Sequence, residues 1–180
     1  MQEEKEFIQK LLNPKTQNEA FQQLLQEYQK PLYNHIRNIV LSHDDTDDVL
    51  QNTFIKVFQH LKNFKGESKL FSWMYRIATN EALTFLNQKA KTNGISSETL
   101  QNKTIDNLKA DVFFDGNEIQ IKLQKAITFL PEKQQLVFKM KYFQELKYEE
   151  ISEILGTSVG ALKASYHHAV KKIEAFVTTN

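Results

Sequence analysis

The sequence contains no cysteine, which excludes disulfide staples, thiolate catalysis and cysteine-ligated zinc. Five glycines and three prolines in 180 residues are too few for a turn-rich β architecture and favour long helices instead. Arginine occurs only at Arg37 and Arg76, so lysine carries almost all the positive charge. No apolar run approaches the roughly 20 residues needed to span a bilayer. The opening residues include Glu3, Glu4 and Glu6 and lack an apolar h-region, so no signal peptide is expected and the chain reads as cytoplasmic. P-loop, Gly-x-Ser-x-Gly and dinucleotide fingerprints are all missing. No catalytic residue, metal, cofactor or small-molecule substrate is therefore expected.

What is present is apolar material at helical spacing. The hydrophobic content of 41% supplies a core. Phe21, Leu24, Leu25, Tyr28, Leu32, Ile36 and Ile39 form one stripe, with Pro31 marking a kink or restart. Val49, Ile55, Phe58 and Leu61 form a second, its start prepared by Asp44, Asp45, Asp47 and Asp48 as caps and dipole partners. Trp73, Ile77 and Phe85 place a third helix up to about Lys89. Residues 92–117 are rich in Ser, Thr, Asn, Asp and Lys without a sustained period. They read as a flexible linker with a short ordered piece around Val112 to Phe114, and so as the seam between two domains. Beyond it, Leu123, Ala126, Ile127 and Leu130, then Leu136, Val137, Met140 and Phe143, continue the helical pattern.

Net charge is only +1, but its distribution is uneven. The aspartate cluster precedes a basic stretch over residues 62–91, and residues 159–173 hold lysines and histidines with no acid. Separate surfaces for separate partners follow. Near the end, a short helix from Tyr148 stops at Gly156, and Ser158 is placed to cap the next helix, which runs to about Phe176. Two helices joined by a glycine-containing turn are the helix-turn-helix pattern. Ile151, Ile154, Val159 and Leu162 would hold the pair together, leaving Gly160, Ala161, Lys163, Ala164, His167, His168 and Lys171 facing outward toward a DNA groove.

A second motif combines Asp48-x-x-Gln51, the loop Phe64-x-Gly66-x-Ser68, and the helix Trp73-x-Tyr75-Arg76-Ile77-Ala78-x-Asn80. Aromatic rings beside lysines suit unstacked bases and their phosphates, although a core position suits Trp73 better. Residues 48–80 resemble region 2 of the extracytoplasmic-function (ECF) RNA polymerase sigma factors. Leu130-Pro131, Tyr148-x-Glu150-Ile151-x-x-x-Leu155-Gly156 and the helix to Ile173 are similar to region 4 of the same family.

The resemblance implies an all-α fold of two small helical domains joined by a linker. A region 2-like bundle would cover residues 1–91, the linker 92–117, and a region 4-like helix-turn-helix 118–180. It implies a transcription initiation factor that binds core RNA polymerase through its β′ clamp helices and β flap, directs it to −35/−10 promoter DNA and assists melting. An anti-sigma factor is implied as a further partner, with the chain held at the inner membrane when bound to one anchored there. Asp47, Asp48, Gln51, Phe54 and Lys56 would dock on polymerase. Lys65, Ser68, Lys69, Phe71, Arg76 and Asn80 would engage the −10 element. Ser158, Lys163, Ala164, His167, His168 and Lys171 would meet the −35 element. Family members usually carry several arginines in the last helix, where this chain has Ala164, Ser165, His168 and Val170. Three other readings compete. Asp44-Asp45-x-x-Asp48 formally matches a magnesium-binding prenyl-transfer motif, but the second metal segment such enzymes need is missing. A stand-alone helix-turn-helix regulator and a protein-binding helical adaptor complete the set.

Overall fold

The structure is a computed structural model that describes residues 2–108 and 117–179. Among these residues the order is α1 (Gln2–Leu12), α2 (Gln17–Val40), α3 (His43–His60), α4 (Leu70–Thr92), α5 (Ser97–Asp106), α6 (Glu118–Thr128), α7 (Glu132–Tyr142), α8 (Tyr148–Leu155) and α9 (Val159–Thr179). A 3₁₀ turn, Leu61–Asn63, follows α3. No strand occurs among the described residues.

Helices α2, α3 and α4 make the first bundle. Its buried stripe on α4 is Leu70, Met74, Ala78, Ala82, Leu86 and Ala90, spaced every four residues as one helix face requires. The stripe expected from Trp73, Ile77 and Phe85 lies one residue off it, and those side chains are only half-buried. On α3 the same offset occurs. Val49, Leu50, Phe54, Val57 and Leu61 are buried, whereas Ile55 and Phe58 of the expected stripe are 47% and 43% exposed. Pro31 neither stops nor restarts α2, which runs through it.

The helix ends are held by specific groups. Ser42, not an aspartate, is the N-cap of α3, its hydroxyl accepting from the Asp45 N–H at 3.4 Å. Asp44 and Asp45 occupy the first turn, where the helix dipole favours negative charge. α4 has no cap of its own. Glu4 of α1 supplies one from 66 residues away, its carboxylate accepting from the Leu70 N–H at 2.8 Å. At the end of α2, Leu41 takes a left-handed conformation (φ 65°) that costs a non-glycine residue about 1–2 kcal/mol. Its burial against Ile105, Leu108 and Ile121 offsets that cost.

The segment expected to be a flexible linker contains a ten-residue helix, α5. Ser96 caps it, accepting from the Thr99 N–H at 3.1 Å. Leu100 and Ile105 bury its inner face. Lys125 pairs with Asp106 at 2.6 Å, and the Thr128 hydroxyl donates to Asn102 Oδ1 at 2.9 Å, tying α5 to α6. Three buried positions on ten residues are too sparse to stand out as a period in a polar stretch, which is why the helix escaped the sequence. The ordered piece expected around Val112 to Phe114 lies outside the described residues.

Helices α6, α7, α8 and α9 form the second bundle. Ala126, Ile127, Leu130, Phe138, Ala169 and Ile173 make its own core. The two bundles are not independent beads. Leu136, Val137, Met140, Ile151, Ile154 and Leu162 join one continuous core with α2, α3 and α4.

Candidate functional site

The outward side of α3 follows from its buried side. With Val49, Leu50, Thr53, Phe54 and Val57 inward, helical geometry turns Asp47, Asp48, Gln51, Asn52, Ile55, Lys56, Phe58 and Gln59 outward, and all are exposed. Phe54 was expected on this surface but is buried (8% exposed), so it supports the helix from within. Ile55 and Phe58 take its place as the apolar part of the face, and their spacing of seven and ten residues from Asp48 is the signal that could have found them. The acidic cluster divides by role. Asp45 is tied to Lys89 of α4 at 2.6 Å, Asp47 lies 3.6 Å from His43, and Asp48 projects from the same exposed face. Lys56 is ion-paired with Glu81 of α4.

The loop over residues 64–69 sits at one end of this bundle. Gly66 turns it with φ 72°, a conformation in which a Cβ would be strained. Phe64 is buried and stacks obliquely on half-buried Trp73, with centroids 5.0 Å apart. Phe71 lies 4.1 Å from the Tyr75 ring, which is itself buried. Lys65 and Lys69 are exposed and Ser68 is half-buried. A cleft of 470 Å³ is lined by Asn63, Phe64, Lys65, Glu67, Ser68, Trp73 and Arg76 from this side and by Glu153 of α8 from the other. The loop thus presents aromatic faces, two flexible cations and a concavity together, the combination that stacks a base while neutralising its phosphate. Arg76 and Asn80 emerge one turn apart on the same side of α4.

The helix-turn-helix is formed by α8, the turn at Gly156 and α9. Gly156 is left-handed (φ 63°), and its N–H donates to Ser152 O at 2.9 Å, closing α8. The Ser158 hydroxyl accepts from the Ala161 N–H at 3.4 Å at the start of α9. Ile151, Ile154 and Leu162 are buried between the helices and Val159 is half-buried. Gly160, Ala161, Lys163, Ala164, His167, His168 and Lys171 all lie exposed on α9. Lys163 also reaches over the Tyr148 ring at 5.8 Å, and Lys141 over the same ring at 5.1 Å. Tyr148 therefore orients two cations at this edge, a role that no short motif would reveal.

Two groups buried where the bundles meet also escaped the sequence. His35 on α2 is fully buried. Its Nδ1 donates to Gln144 Oε1 at 2.9 Å, and its Nε2 meets the Thr79 hydroxyl at 2.8 Å. Burial pushes its pKa down to about 4, against a smaller upward pull from the Gln144 hydrogen bond. Lys139 on α7 is 2% exposed, and desolvation pushes its pKa down to about 8.

The same sequence segments match known families. The family described as Sigma-70 region 2 matches residues 24–92, and that described as Sigma-70, region 4 matches residues 120–173. Over 163 residues the chain is 30% identical to the ECF RNA polymerase sigma-E factor of Haemophilus influenzae, covering 86% of each protein. The chain belongs to the ECF RNA polymerase sigma factors. It is a transcription initiation factor that brings core RNA polymerase to specific promoters. This sigma factor is also 28% identical over 165 residues to the RNA polymerase sigma-H factor of Pseudomonas aeruginosa, covering 86% of this chain and 84% of that one. Its fold matches CnrH, solved in complex with the cytosolic domain of CnrY, with a TM-score of 0.66, 19% identity and coverage of 91% of this chain and 90% of the other. It also matches the sigma factor RpoE of Bartonella quintana, solved in complex with the anti-sigma factor NepR (TM-score 0.64, 17% identity, coverage 89% and 98%). Among the described residues no helix is long and apolar enough to cross a membrane.

Proposed function

We propose a division of the sigma factor's work among three surfaces. The outward face of α3, with Asp47, Asp48, Gln51 and Lys56 and the newly identified Ile55 and Phe58, docks on the β′ clamp helices. An exposed apolar pair rimmed by carboxylates and amides has the composition of a protein interface rather than of a DNA-binding face. The loop over residues 64–69 and the outer side of α4 engage the −10 element, with Phe71 and Trp73 providing rings and Lys65, Lys69 and Arg76 providing charge. The exposed face of α9 enters the −35 major groove, with Lys163 and Lys171 on phosphates and His167, His168 and Ala164 nearest the base edges. Residues 118–180 also bind the β flap. The functional units are residues 1–91 and 118–180, and the segment between them carries α5.

The observation that carries this reading is the separation of surfaces: the acidic and apolar face of α3, the aromatic and basic loop before α4, and the acid-free face of α9 lie on different elements. The protein acts by binding and not by catalysis, works in the cytoplasm, and is held in reserve by an anti-sigma factor. Affinity for each DNA element alone is low because few phosphates are neutralised. Joining both modules on polymerase makes the second contact intramolecular and supplies the remainder.

A pull-down with core polymerase stripped of its own sigma factors tests the docking assignment. Asp48→Arg should weaken capture by about tenfold or more, since it reverses a charge at an interface. Thermal stability should hold within about 0.5 kcal/mol, because the site is exposed. Undiminished capture of Asp48→Arg would move the docking face elsewhere.

A further inference from the structure

Lys139 lies on the buried face of α7, between the equally buried Phe138 and Met140. Among the described residues it has neither a hydrogen bond nor an ion pair, and desolvation alone pushes its pKa down. A buried ammonium without a partner is costly, and an apolar side chain would fill the same place at less expense. The amine is therefore not there for packing. It borders a cavity of 200 Å³ where α2, α4, α5 and α7 converge.

The walls of the cavity divide by chemistry. Ile39, Leu83, Leu86, Leu130 and Leu136 make it apolar over most of its surface. Asn87 and Gln101 add amide groups. The Ser97 hydroxyl donates to Asn87 Oδ1 at 2.7 Å, which fixes the acceptor end of that amide and leaves its NH2 to donate. Thr128 and Gln135 also line the cavity, but their bonds to Asn102 and to the Thr128 and Leu130 carbonyls commit them to structure. Glu98 and Glu132, both exposed, stand at the rim.

We propose that this cavity binds a small aliphatic monocarboxylate, with the carboxylate on the Lys139 ammonium and the hydrocarbon part on the leucine and isoleucine walls. The volume is below the roughly 300–1,000 Å³ of sites for drug-sized ligands, so the occupant has only a few carbons. The amine sets the sign of its head group. The amide donors of Asn87 and Gln101 suit the carboxylate lone pairs that one ammonium leaves unsatisfied. The rim glutamates repel a second negative charge, which sets aside phosphates, nucleotides and dicarboxylates. Occupancy converts an unpaired buried charge into a charge-assisted hydrogen bond. It gives the sigma factor a small-molecule input that is separate from its polymerase and DNA surfaces and does not depend on how those are assigned.

Isothermal titration calorimetry of the full chain with isovalerate tests the site. At pH 7 isovalerate should bind with a dissociation constant of about 1 mM or below. Succinate and inorganic phosphate should bind at least about tenfold more weakly. Lys139→Met removes the ammonium and keeps a chain of similar length, and should weaken isovalerate at least about tenfold. The pH profile reads the same group without a substitution. Lys139 loses its proton through about pH 8 in the free protein, and no other group lining the cavity is of a type that titrates nearby. Affinity should therefore fall about fivefold or more from pH 7 to pH 9, whereas an ordinary lysine, with a pKa of about 10.4, would give a flat profile. If Lys139→Met fails to fold, the pH profile alone decides. Absence of saturable heat with isovalerate up to about 20 mM overturns the site. Binding that Lys139→Met leaves intact, or that is flat over this pH range, overturns the pairing with Lys139. Succinate or phosphate binding as tightly as isovalerate overturns the ligand class.

Discussion

Lowering the pH from 7 to 5 should destabilise this protein through His35 in particular. The imidazole is fully buried, with Gln144, Thr79 and the Tyr75 ring as neighbours, the ring centroid 4.7 Å away. Its folded pKa is about 4 against an unfolded value of 6.5. Between those values the unfolded chain binds more protons than the folded one, so stability falls as pH falls. The contribution is fully present above pH 6.5, is lost progressively as pH drops, and is gone below about 4. Integrating across the shift gives about 2 kcal/mol lost between pH 7 and pH 5, and about 3 kcal/mol in total. Urea titrations followed by the fluorescence of Trp73, the one tryptophan, measure it. Because other carboxylates and histidines titrate in the same range, the quantity to compare is the difference from His35→Gln. The unmodified chain should lose about 2 kcal/mol more than the variant over that interval. Parallel curves would mean that His35 takes up its proton without cost, and the burial and hydrogen bonding described for it would be wrong.

Other expectations follow from the same geometry. Lys139→Met should stabilise the protein by about 1–3 kcal/mol at pH 7, since a buried ammonium is replaced by an apolar chain of similar length. In the unmodified protein the penalty is full below pH 8 and lifts as pH rises toward 10.5, a trend Lys139→Met should abolish in urea titrations. Met74→Ala, at a fully buried site in the α2–α4 bundle, should cost about 2–5 kcal/mol in the same assay. Lys171→Ala should reduce the slope of log affinity against log salt by about 1 in holoenzyme binding to promoter DNA, whatever the −35 sequence.

The family motifs were legible because their parts are neighbours in the chain. Asp48 to Gln51, the loop at Gly66, and Trp73 to Asn80 follow one another, as do Gly156, Ser158 and the residues of α9. Helix existence was legible from periodicity, but facing was less so. Leu50, Phe54, Ile55, Val57 and Phe58 are apolar on two adjoining faces of α3, and the sequence alone does not say which face meets α2 and α4. The choice of Phe54 for the polymerase surface, with Ile55 and Phe58 left for the core, is that ambiguity. α5 was hidden by its short length and polar surface. The contact between the two bundles was hidden for a different reason. His35 and Gln144 are 109 residues apart, and Arg76 donates to the backbone carbonyls of Ile154 and Glu153, groups that any residue would provide.

The most direct test of the central claim is run-off transcription with the host's core polymerase, stripped of sigma factors, over a pool of host genomic fragments. Adding this chain should produce discrete start sites, absent with core alone, whose upstream sequences share a −35 and a −10 element at fixed spacing. Core polymerase that neither binds the chain nor gains any start site in its presence would contradict the account.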